Sequence, residues 1–165
     1  MSTTQYLYDE KYYVDARKMQ LNRERNNWFV DMVKSFGAET VLDIGCGPGM
    51  LVKSLREEGI EAYGLDFAPS LKRIQWHGLP YFLNGDAQDL SFPDNSFDLV
   101  FSSEFFEHLL PEQIEEVYKE MNRVGSFVVA MIAYEAKLTA RQALKHPSNK
   151  PREWWDQKLP EAILL

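Results

Sequence analysis

Cysteine is almost absent from this chain of 165 residues: Cys46 is the only one. No internal disulfide can form, and nothing points to an oxidising compartment. No apolar run approaches the roughly 20 residues needed to span a bilayer, and the start, Met1-Ser2-Thr3-Thr4-Gln5, lacks the basic-then-apolar layout of a secretion signal. A cytoplasmic location is expected. Basic charge is also short, with 18 Lys and Arg against 25 Asp and Glu and a net charge of -7. A chain of that balance gains little by neutralising phosphates, so nucleic acid is a disfavoured partner. The basic residues between Lys11 and Arg25 alternate with Asp9, Glu10, Asp15 and Glu24, as on a solvated helix rather than in a basic patch.

What is present is an apolar content of 45%, enough for one domain with a real core. The spacing predicts a helix from about Asp15 to Phe36, with Met19, Trp28, Met32 and Phe36 near one face. Gly37 stands at its stop. Strands then alternate with helices: strands over Val41–Ile44, Glu61–Leu65, Tyr81–Leu83, Phe97–Phe101 and Phe127–Ile132; helices over Pro48–Glu58, Pro69–Trp76 and Pro111–Asn122. Such alternation implies parallel pairing with helices on both faces, a doubly wound sheet of the Rossmann-like α/β class. A single domain over 1–165 is expected: an N-terminal helical lid segment over 1–36, a ligand-binding core over 40–133 and a helical appendage over 134–165.

Three of the chain's nine glycines crowd into Asp43-Ile44-Gly45-Cys46-Gly47-Pro48-Gly49, between the first strand and its helix. Glycines there let backbone N–H groups approach a ligand closely. A carboxylate at Asp43 would repel a pyrophosphate, so the ligand should carry positive charge or hydroxyls. A nicotinamide dinucleotide is disfavoured for that reason, and because its third glycine would fall at Met50. Asp66 ends the second strand about twenty residues past the loop, the spacing of an acid that bonds ribose hydroxyls. Phe67 follows and can lie against a purine. Asp86 is placed at the end of the third strand, able to accept from an exocyclic amine. Ser102-Ser103-Glu104 closes the fourth strand and runs into Phe105-Phe106-Glu107-His108. Aspartates also simply end strands and begin turns. Cys46 reads as a small residue among glycines rather than a nucleophile, His108 reads equally as a packed histidine, and Phe105 and Phe106 as core.

Taken in order, Asp43 to Gly49, Leu65-Asp66, Gly85-Asp86-Ala87 and Phe97 to Ser103 resemble the successive motifs of class I S-adenosylmethionine-dependent methyltransferases. Glu107-His108-Leu109 is similar to a segment of the small-molecule subgroup. The resemblance covers roughly Val41 to Ile132. It implies S-adenosylmethionine as cofactor, held by the backbone of Gly45, Cys46, Gly47 and Gly49, with Asp43 near its amino group. Asp66 would hold the ribose hydroxyls, Phe67 and Ala87 would border the adenine, Asp86 would accept from its amine, and Ser102 and Ser103 would approach the methionyl end. The reaction implied is methyl transfer to an O or N of a small molecule by in-line substitution, with His108 as general base and no metal; Glu104 and Glu107 are alternates for the base. Tyr6, Tyr8, Tyr12 and Tyr13 would form a lid.

One departure is the C-terminal edge. The family's sheet usually has seven strands, and here about five are legible, with Glu161 to Leu165 able to add one short element. An open edge invites a homodimer or a partner chain. A non-catalytic cofactor-binding subunit with a shortened fold is the alternative function. A second departure is Arg123-Val124-Gly125, shorter than the family's turn before the fifth strand.

Overall fold

The computed structural model describes residues 23–68, 79–134 and 143–165. The expected tyrosine lid, the helix over Pro69–Trp76 and most of the helical segment after Glu135 lie outside the described residues. No helix among the described residues is long and apolar enough to cross a membrane.

The described elements are α1 (Arg23–Ser35), β1 (Thr40–Ile44), α2 (Met50–Glu57), β2 (Glu61–Asp66), β3 (Phe82–Asn84), β4 (Phe97–Ser103), a 3₁₀ turn (Phe106–His108), α3 (Pro111–Val124), β5 (Gly125–Met131), α4 (Arg152–Lys158) and β6 (Ile163–Leu164). The strands form one sheet in the order β3-β2-β1-β4-β5-β6. Every pair is parallel. β1 is central because Thr-Val-Leu-Asp-Ile offers apolar side chains to both faces: Val41, Leu42 and Ile44 are fully buried. On one face Val41, Leu99, Phe101 and Val129 pack with α1 and α2. On the other, Leu42, Ile44, Val100 and Val128 pack with α3 and α4.

Local chemistry fixes the ends of these elements. The Asp98 carboxylate accepts from Glu39 N–H, Thr40 N–H and Thr40 Oγ1, each at 2.9 Å, which staples the start of β1 to β4. Those bonds hold its pKa below the usual carboxylate value. α2 ends in a Schellman motif: Ile60 N–H donates to Leu55 O at 3.0 Å and Gly59 N–H to Arg56 O at 3.1 Å. α3 runs into β5 with no loop, because Gly125 leaves room where a Cβ would lie 2.4 Å from Val100 Cγ2. The short Arg123-Val124-Gly125 segment is therefore a direct helix-to-strand junction.

Two expectations change. In α1 the buried stripe is Phe29, Val30 and Val33, whereas Trp28 is half exposed and meets Phe29 edge to face, with centroids 5.0 Å apart. Phe29 and Val33, one turn apart, set the helix rotation by packing on the sheet. The expected count of about five strands rises to six, because Ile163–Leu164 pairs in parallel with Val129 and Ala130. Leu165 N–H to Ala130 O at 3.0 Å extends that pairing.

Candidate active site

The chain crosses from one half of the sheet to the other between β1 and β4, and ligands of such sheets bind beyond the strand ends at that point. Here the glycine loop is clamped from two sides. Gly45 has φ +72°, and a Cβ on it would lie 2.4 Å from the Phe105 ring; Gly49 has φ +76°, and a Cβ would lie 2.2 Å from the Phe82 ring. Phe105 comes from the segment after β4 and Phe82 from β3, so both halves of the sheet press on the loop. From beneath, Gly45 N–H and Cys46 N–H donate to Leu65 O at 2.8 and 3.2 Å.

Asp66 is the anchor. Its Oδ2 accepts the Gly47 N–H and its Oδ1 the Ala68 N–H, both at 3.0 Å, and it is nearly buried. An ionised carboxylate only accepts hydrogen bonds, through about four lone-pair directions, which is the chemistry that ligand hydroxyls require. Asp43, the penultimate residue of β1, is also buried, and its pKa is raised to about 8 by burial first and by the Asp66 charge second. Among the described residues, the cation that opposes this shift is Arg25 of α1. Arg25 Nη2 donates to Ser103 Oγ at 2.8 Å and lies 3.5 Å from Glu104 Oε1. Sequence reading missed Arg25, which sits in a run of alternating charges; only the packing of α1 on the sheet brings it to the end of β4.

The other expected residues fall as follows. Cys46 is buried and its thiol pKa is pushed well up by burial and by Asp66 and Asp43. Its Sγ would lie 2.8 Å from a Cβ on Gly64, so it fills a packing space. Phe67 is exposed beside Asp66 and Ala87 is buried. Asp86 lies two residues past the end of β3 rather than on its last residue, because β3 runs only to Asn84; its exposed carboxylate accepts Gln88 N–H at 3.0 Å. That bond is an Asx turn. Ser102 is fully buried, and its Oγ has no hydrogen-bond partner among the described residues.

Beyond β4 the chain kinks at Glu104, a non-glycine residue at φ +51° whose N–H donates to Met131 O at 2.8 Å. A left-handed conformation costs such a residue about 1–3 kcal/mol and clusters at functional sites. Glu107 is fully buried; Oε1 accepts Ala133 N–H at 3.4 Å, Oε2 has no partner among the described residues, and burial raises its pKa to about 7. His108 Nδ1 faces Lys145 O at 2.7 Å, so Nδ1 carries the proton. Burial lowers the pKa of His108 to about 4, against backbone hydrogen bonding to Lys145 and Glu104. Through Nδ1–H the imidazole pins the 145–148 segment to the turn just beyond β4. Among the described residues no three acidic, His or Cys side chains are grouped to hold a metal ion.

Residues 42–126 match the family model for the methyltransferase domain. The chain belongs to that family. Its motifs and parallel sheet are those of a class I S-adenosylmethionine-dependent methyltransferase domain, and S-adenosylmethionine is the family's cofactor. It is 29% identical over 117 residues to a malonyl-[acyl-carrier protein] O-methyltransferase of Serratia marcescens, covering 68% of this chain and 46% of the relative. It is 32% identical over 108 residues to a ubiquinone biosynthesis O-methyltransferase of Chromobacterium violaceum, covering 61% and 47%. A crystal structure of a SAM-dependent methyltransferase from Archaeoglobus fulgidus superposes with a TM-score of 0.51 at 29% identity, covering 62% of this chain and 49% of that one. The chain thus spans about half the length of the curated relatives it matches.

The residues of the methyltransferase domain fit that cofactor chemically. Two buried carboxylates, one of them pushed toward the protonated form by burial and by the charge of the other, suit a ligand bearing an ammonium and a sulfonium. Arg25 suits its carboxylate.

Proposed function

We propose that this protein transfers a methyl group from S-adenosylmethionine to an oxygen or nitrogen of a small-molecule acceptor. The observation that carries the reading is the pair Asp43 and Asp66, buried on either side of a glycine loop whose Gly47 N–H is bonded to Asp66. In this reading Asp43 receives the cofactor's ammonium, Arg25 its carboxylate, and Asp66 the ribose hydroxyls. The backbone of Gly45, Cys46, Gly47 and Gly49 lies along the methionyl portion, with that of Ser102 and Ser103 opposite. Phe67, Asp86 and Ala87 border the adenine.

The cofactor, when bound, supplies an already activated methyl group on a sulfonium. The residues' tasks are then alignment and exclusion of water. Phe105 and Phe82 hold the glycine loop rigid for that alignment. The net charge of -7 favours a small acceptor over nucleic acid. A cytoplasmic site of action rests on the lone, buried Cys46. A second copy or a partner chain at the outer edge of the sheet is also proposed. The two-residue β6 and the exposed Phe127 and Ile163 support it, and light scattering tests it: only monomer at high concentration would refute it.

Titration calorimetry with S-adenosylmethionine and S-adenosylhomocysteine tests the reading. Binding of both, followed by product formation with an acceptor panel, is expected. Binding of neither would overturn it, and binding without turnover on any acceptor would leave the non-catalytic subunit.

A further inference from the structure

We propose that the sheet face over β5 and β6, alongside α1, is where a second copy of this chain docks. The proposal rests on the second-copy reading above and replaces strand-edge pairing with a face-to-face contact. β6 has two residues, an edge too short to hold another sheet by backbone bonds alone.

The register fixes what lies on this face. Ile163 pairs with Val129, and Phe127 stands two residues earlier on β5, so all three side chains point to the side that α1 occupies. Val129 is fully buried, whereas Phe127 is 53% and Ile163 39% exposed. Met131 and Leu165 are only partly buried against the same core. α1 supplies one wall. Its Phe29 ring meets Phe101 of β4 with centroids 5.0 Å apart, and Lys34 on its far flank bonds Glu58 beyond α2. The opposite flank carries Trp28, Met32 and the adjoining Phe36 at spacings of four. The Phe36 ring lies 6.1 Å from that of Phe127, so this stripe borders β5. No helix among the described residues covers the trough between the stripe and β6, since α3 and α4 pack on the other face.

Parallel sheets are covered on both faces, so an apolar trough of this kind calls for an occupant. Charge selects a second copy. The chain carries a net charge of -7, and two copies repel wherever their charged surfaces meet. None of the trough's side chains is charged. A two-fold contact sets the same patch against itself, so the neutral face meets its match while the acidic remainder stays in water. Size agrees. Two half-exposed aromatic rings, the isoleucine and their partly buried neighbours amount to roughly 300–400 Å² of apolar surface per copy, the size of a functional patch. Doubled and rimmed by polar surface, it makes the centre of an interface of about 1,200–2,000 Å², which is what a specific dimer buries. Asp31, exposed one turn from Trp28, stands at the rim and faces the like charges of the other copy.

Sedimentation equilibrium of the full chain, over a range of protein and salt concentrations, is the test. A monomer–dimer equilibrium is expected, and raising salt from about 0.05 to 0.5 M should tighten it, because screening removes the acidic repulsion. Phe127→Glu and, separately, Trp28→Glu should each weaken the dimer by about 100-fold or more, since a two-fold interface receives every new charge twice. Both side chains are half exposed, so the thermal melts of the variants should match that of the wild type. If Phe127→Glu unfolds, Trp28→Glu on the helix surface decides. A dimer that withstands both substitutions, or that loosens as salt is raised, would overturn this face and leave the strand edge. Monomer alone at every concentration would sink the second-copy reading itself and leave the trough to a different protein or to another part of the chain.

Discussion

Gly47 N–H donates to Asp66 Oδ2 at 3.0 Å, so the carboxylate at the end of β2 holds the glycine loop at the end of β1. One side chain thereby shapes the loop and, in the proposed reading, also binds the ligand. Asp66→Ala should remove both roles. The buried Gly47 and Ala68 N–H groups lose their acceptor, costing about 1–3 kcal/mol of stability. Two charge-assisted bonds to ribose hydroxyls are lost as well, weakening S-adenosylhomocysteine by roughly 100-fold or more. Asp66→Asn, which keeps one acceptor oxygen, should fall between. Thermal melts and calorimetry separate the two losses, and an unchanged dissociation constant in Asp66→Ala would refute the assignment.

Asp43 and Glu107 predict an unusual pH dependence. Their folded pKa values, about 8 and about 7, lie above the ordinary carboxylate range because burial disfavours the charged form. Between the ordinary range and those values the folded chain binds more protons than the unfolded one. Stability should therefore fall as pH rises from mildly acid to about 8. His108, lowered to about 4, works in the opposite sense: its contribution is present above the ordinary histidine pKa and lost as pH falls toward 4. Cofactor binding should release a proton from Asp43, tightening as pH rises toward 8. Calorimetry in buffers of different ionisation enthalpy counts that proton, and Asp43→Asn should abolish it.

Gly45 makes a separate prediction about the clamp. Gly45→Ala meets both a positive φ and the Phe105 ring at 2.4 Å. Destabilisation of about 2 kcal/mol or more is expected from strain plus overpacking. Phe105→Leu in the same chain should relieve the second part and leave the first, giving a non-additive cycle in chemical denaturation. Full additivity would mean the ring does not press on the loop.

These relationships differ in how far they could be read from the chain. The glycine loop and Asp66 were legible because a strand, a tight turn and an acid at fixed spacing are local signals. Asp86 was assigned to the end of the third strand, whereas β3 stops at Asn84 and Asp86 begins the Asx turn that follows. β6 was hidden by its length, since two residues carry no periodicity and their pairing depends on where α4 docks. Trp28 was assigned to the buried face because propensity and spacing do not fix a helix's rotation; Phe29 and Val33 do. Arg25 was invisible for a related reason. It lies in a polar segment, and only the packing of α1 on the sheet carries it to the end of β4.

Arg25 gives the sharpest test of the ligand's orientation. Its guanidinium bonds Ser103 Oγ, lies 3.5 Å from Glu104 and opposes the protonation of Asp43. If it receives the carboxylate of the methionyl end, Arg25→Ala should weaken S-adenosylhomocysteine roughly 10- to 100-fold, the value of a charge-assisted hydrogen bond. Methylthioadenosine, which lacks both amino and carboxyl groups, should bind the variant and the wild type alike. Arg25→Lys keeps the charge without the planar fork and should recover only part of the loss. Equal weakening of both ligands would mean that Arg25 acts by holding Ser103 and the end of β4, with no contact to the carboxylate. The ratio of the two dissociation constants therefore distinguishes a ligand contact from a structural one, and it does so without knowledge of the methyl acceptor.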